Sequence, residues 1–421
     1  MLARPTPVAA VQTRAHDRAG FDECWPGLLA RIAAAAEAGA RLVVVPEGTV
    51  PAYVIGTEPV DTRLLERAAE DVIAVSARTG ATIVYGGARA HEGGLANSAY
   101  VVTPAGIAGF ADKCFLWHFD RRWFTEGDTL APVTTPAGRL GVFICADGRL
   151  PTIPAALAAA GAEILVVPTA WVTSGRDPQA RENIQADLMI PVRARENGLP
   201  IVAANKCGVE GRSVAYCGKS QIVAADGTVL MLAPQDSETT ITADVVIGAR
   251  AAAAAGAVRR GAGAALPARA RVAIATAAEP ALRAQAAAAD AAVMIERGGT
   301  AMADDIALAD DAAVLDPRGL VAARLDGIRL FVWNATLGDA AWTARFARTR
   351  AAELRCYVVV FDEGRAFAVD PDGTIVCGTF EDFAVAAFVF ERARTDAWEV
   401  APGTDVRAGL QRVAAFAGVT A

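Results

Sequence analysis

Leu140-Gly-Val-Phe-Ile-Cys-Ala-Asp-Gly-Arg-Leu150 is the stretch that decides the fold. Its apolar residues Val142 to Cys145 read as a strand buried on both faces. The run stops at Ala146-Asp147-Gly148, which puts Cys145 where a core strand ends and a turn begins. A thiol there is fixed by the sheet yet open to a pocket. A lone Cys at a strand end is more often core filling. Glu47 and Lys113, each closing an apolar strand upstream, change that balance.

The 421 residues suffice for two or three domains, or for one large α/β unit with an extension. With 53% apolar and 21% charged residues the chain builds a core and is not disordered. The net charge of −7 is spread out, which argues against nucleic acid as a partner. No run of apolar residues is long enough to span a membrane, so a soluble, cytoplasmic protein without a membrane partner is expected. Seven Cys without CxxC pairing point to neither zinc nor a disulfide framework, and three His make a multi-His metal site improbable. No metal and no cofactor is expected. Of 40 basic residues only Lys113, Lys206 and Lys219 are Lys. In a chain so biased to Arg, a Lys can mark a place where a compact ammonium does what guanidinium cannot.

Outward from the Cys145 strand the pattern alternates. Residues 7–12 read as a strand, 21–38 as an amphipathic helix and 42–45 as a buried strand that runs into Pro46-Glu47-Gly48. A helix over 62–79, a strand over 81–86 and a hairpin over 98–111 follow, and the hairpin leads into Asp112-Lys113. Residues 114–128 are aromatic and charged without periodicity, as in a pocket-lining loop. Further on come a helix at 151–160, a strand at 163–168, a helix at 183–197, a strand at 200–205 and a hairpin at 218–229. Such alternation is that of a layered α/β sandwich. Residues 248–267 are Ala/Gly-rich and read as a linker between a domain at 1–247 and one at 268–421. The second domain weakly repeats the first: 291–296 parallels 43–47, 314–319 parallels 102–106, 330–334 parallels 142–145, and 368–374 parallels 223–228. It has no Lys or Cys at the reactive positions, so it reads as a degenerate copy.

In a parallel-type sheet the ends of strands gather at one edge, the usual crevice for a ligand. There Glu47 would deprotonate Cys145, and Lys113 would hold the charge that develops on an attacked carbonyl. These three residues make a self-sufficient acyl-transfer site.

The order Glu47, Lys113, Cys145, in Val-Val-Pro-Glu-Gly, Ala-Asp-Lys and Phe-Ile-Cys-Ala-Asp-Gly-Arg-Leu-Pro, resembles the nitrilase superfamily of carbon–nitrogen hydrolases over about residues 5–247. The resemblance implies an α-β-β-α sandwich, a Glu base, a Lys stabilising the tetrahedral species and a Cys nucleophile that forms a thioester. Members pair into an eight-layer body, so it implies a homo-oligomer or, with the degenerate copy, an intrachain pseudo-dimer (αββα-αββα). Many members carry a second carboxylate after the Lys; Asp120 matches that place, with Glu126 as the alternative. Cys-Ala-Asp-Gly-Arg-Leu-Pro is closest to the amidase pattern, so the expected substrate is a small amide. An N-carbamoyl amino acid, gripped by Arg149, comes second and a nitrile third. Acyl transfer to an acceptor other than water uses the same site, and a catalytically silent scaffold or sensor is the non-enzyme reading. Tyr53, Trp117, His118 and Trp171, just beyond these strands, are expected as pocket walls, with Ala146 and Arg149 beside the nucleophile.

Overall fold

The computed structural model describes residues 4–173, 181–212, 214–248, 256–299, 303–379 and 384–417. The chain divides into two compact units near residue 251. Part of the stretch expected to be a linker, 249–255, lies outside the described residues; the rest carries a short strand, Val258–Arg260, in a sheet of the second unit.

The first unit is built on two sheets. At the centre of one, Arg4–Arg14, Leu42–Val44 and Thr82–His91 run parallel. The hairpin Gly94–Thr103 and Gly106–Asp112 extends this sheet on one side. Lys206–Glu210 and Val214–Cys217 extend it on the other, and Thr239–Ile247 pairs antiparallel with Arg4–Arg14. In the other sheet Gly138–Val142, Ile164–Pro168 and Ile201–Ala204 are parallel, flanked by antiparallel Val133–Thr135, Gln221–Val223 and Val229–Leu232. The central strands are nearly pure Val, Ile, Leu and Ala because both of their faces are covered, by the opposing sheet on one side and by helices on the other. Helices Phe21–Glu37 and Thr62–Thr79 cover the first sheet; Thr152–Ala159 and Ile190–Asn197 cover the second. Thr62–Thr79 buries Leu65, Ala68, Val72 and Val75 as one stripe, starts at Asp61, whose carboxylate accepts the Arg63 N–H, and stops at left-handed Gly80. The layers are therefore α-β-β-α.

Two expectations need correction. The strand ends at Val142 rather than Cys145, although the Phe143 N–H still donates to Val166 O at 3.1 Å. Cys145 opens a 3-10 turn, Cys145–Arg149, with φ +46°. Apolar content alone marks the buried residues of this run and cannot mark where the Asp147 carboxylate turns the chain. The second is the order of elements: between the strand at 200–205 and the next hairpin lies an unread one, Lys206–Glu210 and Val214–Cys217, whose mixed polarity hides it in the sequence.

The second unit has one six-stranded sheet ordered Val258–Arg260, Ile306–Ala309, Leu330–Ala335, Tyr357–Asp362, Arg365–Val369, Ile375–Gly378. Successive pairs are antiparallel, parallel, parallel, antiparallel, antiparallel. The six-stranded sheet of the first unit has the same succession. A three-stranded sheet sets Arg269–Ala275 between parallel Val293–Glu296 and antiparallel Val385–Glu391. By place in the sheet, Ile306–Ala309 answers to Gly138–Val142, and Leu330–Ala335 to Ile164–Pro168. The expected match of 330–334 with the Cys145 strand is thus one strand out. Residues 314–319, expected to parallel the strand end and turn at 102–106, fall instead at helices Asp311–Leu315 and Arg318–Leu325.

Candidate active site

Glu47 and Lys113 lie beyond the carboxyl ends of Leu42–Val44 and Gly106–Asp112, which run the same way in one sheet, and Cys145 lies beyond the carboxyl end of Gly138–Val142 in the other, the crevice end of such strands. Glu47 follows Leu42–Val44, with its N–H on Thr169 O at 3.3 Å. Lys113 follows Gly106–Asp112, and its backbone N–H donates to Asn97 O at 2.8 Å. Lys113 Nζ donates to Glu47 Oε1 at 2.7 Å and to Asp120 Oδ2 at 2.5 Å, with all three side chains fully buried. Asn97 Nδ2 donates to the same Glu47 Oε1 at 2.7 Å. The other oxygen, Oε2, is buried without a hydrogen-bond partner among the described residues. The Cys145 thiol lies beside this carboxylate and against Thr169 and the Ala170 backbone.

The charges follow from burial. Desolvation raises the Glu47 carboxyl above its ordinary range; Lys113 pulls it back, and the nearby Asp120 charge adds to the rise. Burial would lower the Lys113 ammonium, but Asp120 and Glu47 outweigh it and hold the group charged well above its usual value. Burial and the Glu47 charge push the Cys145 thiol up, so at rest it keeps its proton. Lys113 pulls the thiol the other way without outweighing burial.

One carboxylate holds the turn that carries the nucleophile. Asp147 Oδ2 accepts the Ile144 N–H at 2.9 Å, while Oδ1 accepts the N–H groups of Cys114 and Phe115 at 3.0 and 2.7 Å. It thereby ties the Cys145 turn to the segment leaving Lys113.

The remaining expected residues fall into two groups. Asp120 joins Lys113 and accepts the Trp117 N–H at 3.0 Å, whereas Glu126 pairs with Arg121 at 2.9 Å. Tyr53 is buried, its ring edge-to-face with Phe119 at 5.5 Å and 5.9 Å from Lys113 Nζ. Ala146 is buried beside Cys145, and Trp171 is buried one residue beyond Ala170. Arg149 lies 4.9 Å over the half-buried Trp117 ring, and His118, at φ +41°, packs on Phe119 at 5.1 Å. Asn97, Asp147 and Tyr216 were not read from the sequence. Tyr216 stands edge-on to Tyr53 at 6.2 Å.

A model of the carbon–nitrogen hydrolase family matches residues 7–255. The chain belongs to this family. Among its relatives, an (R)-stereoselective amidase of a Pseudomonas species is 37% identical over 155 residues, 37% of this chain and 54% of the amidase. The match therefore spans about half of that relative's length. A nitrilase of Pyrococcus abyssi is 30% identical over 217 residues, covering 50% of this chain and 79% of the nitrilase. An amidase from a Nesterenkonia species has the same fold, with TM-score 0.51 and 23% identity over 57% of this chain and 90% of that one. In one variant of that amidase the acetamide moiety of fluoroacetamide is added covalently at the active-site cysteine. Among the described residues of this carbon–nitrogen hydrolase, no helix is long and apolar enough to cross a membrane.

Proposed function

We propose that this carbon–nitrogen hydrolase is an amidase that releases ammonia from a small carboxamide through a thioester on Cys145. One observation carries the reading. Lys113 Nζ is bonded to both Glu47 and Asp120, out of solvent, with the Cys145 thiol beside Glu47. Glu47 takes the thiol proton as the sulfur attacks the carbonyl carbon. The electron pair of the C=O bond moves onto oxygen, which Lys113 Nζ and the Ala146 N–H stabilise. The proton passes from Glu47 to the leaving nitrogen, the C–N bond breaks and ammonia departs. Water, deprotonated by Glu47, then attacks the thioester, releasing the acid and restoring the thiol. Asp120 keeps Lys113 charged and aimed.

Packing supports an amide over the other substrates. A Cβ on Gly148 would sit 3.2 Å from Gln185 Oε1 and from Phe143 Cε2, so an Arg there, as in carbamoylases, would crowd both side chains. Ala146, fully buried, stands where nitrilases carry a Trp after the Cys, and this difference favours an amide. The reading as a silent scaffold is disfavoured because Glu47, Lys113 and Cys145 are all present and adjacent.

For the second unit we propose descent from the same fold with the chemistry lost. The shared succession of strand pairings supports this, and so does a matching buried ion pair. Arg193 Nε donates to Gly148 O at 2.9 Å and its Nη1 pairs with Glu196 at 2.8 Å. Arg350 Nε donates to Val314 O at 2.9 Å and its Nη1 pairs with Glu353 at 2.6 Å. Matching Gly148 with Val314 aligns Cys145 with Asp311. That carboxylate accepts the Trp333 Nε1–H at 2.7 Å and the Thr336 N–H at 3.2 Å. Likewise Ala292 N on Arg271 O matches Arg41 N on Pro7 O, so Glu296 answers to Val45 and Gly298 to Glu47.

Ammonia release from a panel of carboxamides, N-carbamoyl amino acids and nitriles, with Cys145→Ala as control, tests the assignment. Release confined to carboxamides and absent in the control is expected. Release from nitriles or N-carbamoyl compounds alone would overturn the amidase reading.

A further inference from the structure

Two of the three lysines in this Arg-rich chain are fully buried, and the steps above use only Lys113. Lys219 pairs with Asp187 near the surface. Lys206 is fully buried at the start of Lys206–Glu210. Its Nζ donates to Gly48 O at 2.7 Å, the carbonyl one residue after Glu47, and pairs with Glu210 Oε2 at 3.2 Å. Glu210 in turn accepts the Val54 N–H at 2.6 Å and the Tyr216 hydroxyl at 2.7 Å. From the end of Arg4–Arg14, His16 Nε2 lies 3.2 Å from Thr49 O and 3.1 Å from Pro51 O. Three side chains therefore grip the backbone from 48 to 54.

That backbone needs gripping. Gly48 has φ +57°, and a Cβ there would lie 2.6 Å from Tyr53 Cα, so the chain folds sharply back over the turn. A glycine turn can rotate its peptides at low cost, and such a rotation beside Glu47 would swing the carboxylate away from the thiol. An ammonium bonded to the Gly48 carbonyl opposes it. The Tyr53 ring, 5.9 Å from both Lys113 Nζ and Lys206 Nζ, lies within reach of both cations. For stability alone a buried ion pair is exchangeable for apolar groups of like volume, so its place here calls for a local role.

We propose that Lys206, neutralised by Glu210, is a positioning residue that fixes the Gly48 carbonyl and thereby aims the Glu47 carboxylate at Cys145. The inference rests on the reading of Glu47 as the base.

Iodoacetamide labelling of Cys145, followed by mass spectrometry from mildly acid to mildly alkaline pH, needs no knowledge of the substrate. Glu47→Gln tests the base itself, and the Lys206→Met/Glu210→Gln double variant removes the clamp without stranding a charge. In the unaltered protein, labelling should rise with pH and collapse in Glu47→Gln. The double variant should melt like the unaltered protein, label Cys145 about 10- to 100-fold more slowly and shift the pH midpoint. Lys206→Arg should fall between, keeping the charge but not the compact fit. Labelling at the original rate, or slowed with an unmoved midpoint, would overturn the positioning role. Labelling indifferent to Glu47→Gln would instead strike the base reading, and this inference would fall with it.

Discussion

Burial and Glu47 hold the Cys145 thiol above its ordinary value, so the pH dependence of the proposed reaction falls to Glu47 and Lys113. The reaction as proposed needs Glu47 ionised and Lys113 protonated. Glu47 is raised above the ordinary 4.5, so kcat/KM should climb with pH at values above those of a free carboxylate. Lys113 is raised above 10.5, so no alkaline fall is expected from it near neutrality. Stability follows the same signs. The Lys113 contribution is complete below the ordinary lysine value and is lost only as pH rises through the elevated one, whereas ionising Glu47 costs stability as pH passes its raised value. Asp120→Asn removes a charge that raises Glu47, so the acid limb of the pH–rate profile should move down; an unmoved or rising limb would sink that role. Cys145→Ala should abolish turnover and leave the melting temperature nearly unchanged, since the thiol is close in size to the methyl; residual turnover would refute the nucleophile. Lys113→Arg should cut kcat by about 100-fold or more, because planar guanidinium cannot sit between two carboxylates as a point donor. A near-normal rate would make Lys113 structural. These residues were legible because each is a reactive side chain closing an apolar run. Asn97, a neutral polar residue inside a strand, gave no such signal.

At the scale of single elements, the turn Cys145–Arg149 matters more than the strand before it. Asp147 has its carboxyl raised to about 7 by burial, against the pull of the backbone N–H groups it accepts. Its carboxylate ties this turn to the segment after Lys113 by accepting the N–H groups of Ile144, Cys114 and Phe115. Asp147→Asn would set an amide N–H₂ against a backbone donor, and a loss of about 1–3 kcal/mol is expected by chemical denaturation. Turnover should fall with it as Cys145 loses its register to Lys113. A variant as stable and active as the original would show the brace to be dispensable. In the first unit the sequence reading found the helices and most of the buried strands to within a few residues, since period and apolar content report burial directly. It overran the strand at Cys145 because three side-chain acceptances, not hydrophobicity, end it. It missed the 206–217 hairpin because there polar residues face inward to grip a neighbouring loop.

Across the whole molecule the six-stranded sheets of the two units share one succession of pairings, on which the proposal of common descent without the chemistry rests. Where the first unit sets a thiol before Ala170, the aligned place in the second sets Asp311, spent on Trp333 and Thr336. Asp311→Ala should therefore leave turnover unchanged and lower a thermal transition by a loss of about 1–3 kcal/mol; a fall in kcat with the melting curve intact would give the second unit a part in the reaction. The proposed repeat shows in the sequence only as a drift of similar runs, because apolar runs resemble one another wherever they lie. Hydrogen-bond registers, which the sequence does not display, align them. The paired Arg193–Glu196 and Arg350–Glu353 bridges carry a consequence for how such a chain can change over generations. The uncharged Cys145 thiol can be lost in one step at little cost to folding, but losing one half of a buried ion pair costs about 3–5 kcal/mol, which a marginally stable unit cannot absorb. Two coincident substitutions are needed to escape. Buried bridges thus act as a ratchet and should outlast the chemistry they once stood beside, so that in a worn duplicate ancestry is written most durably in its hidden charges.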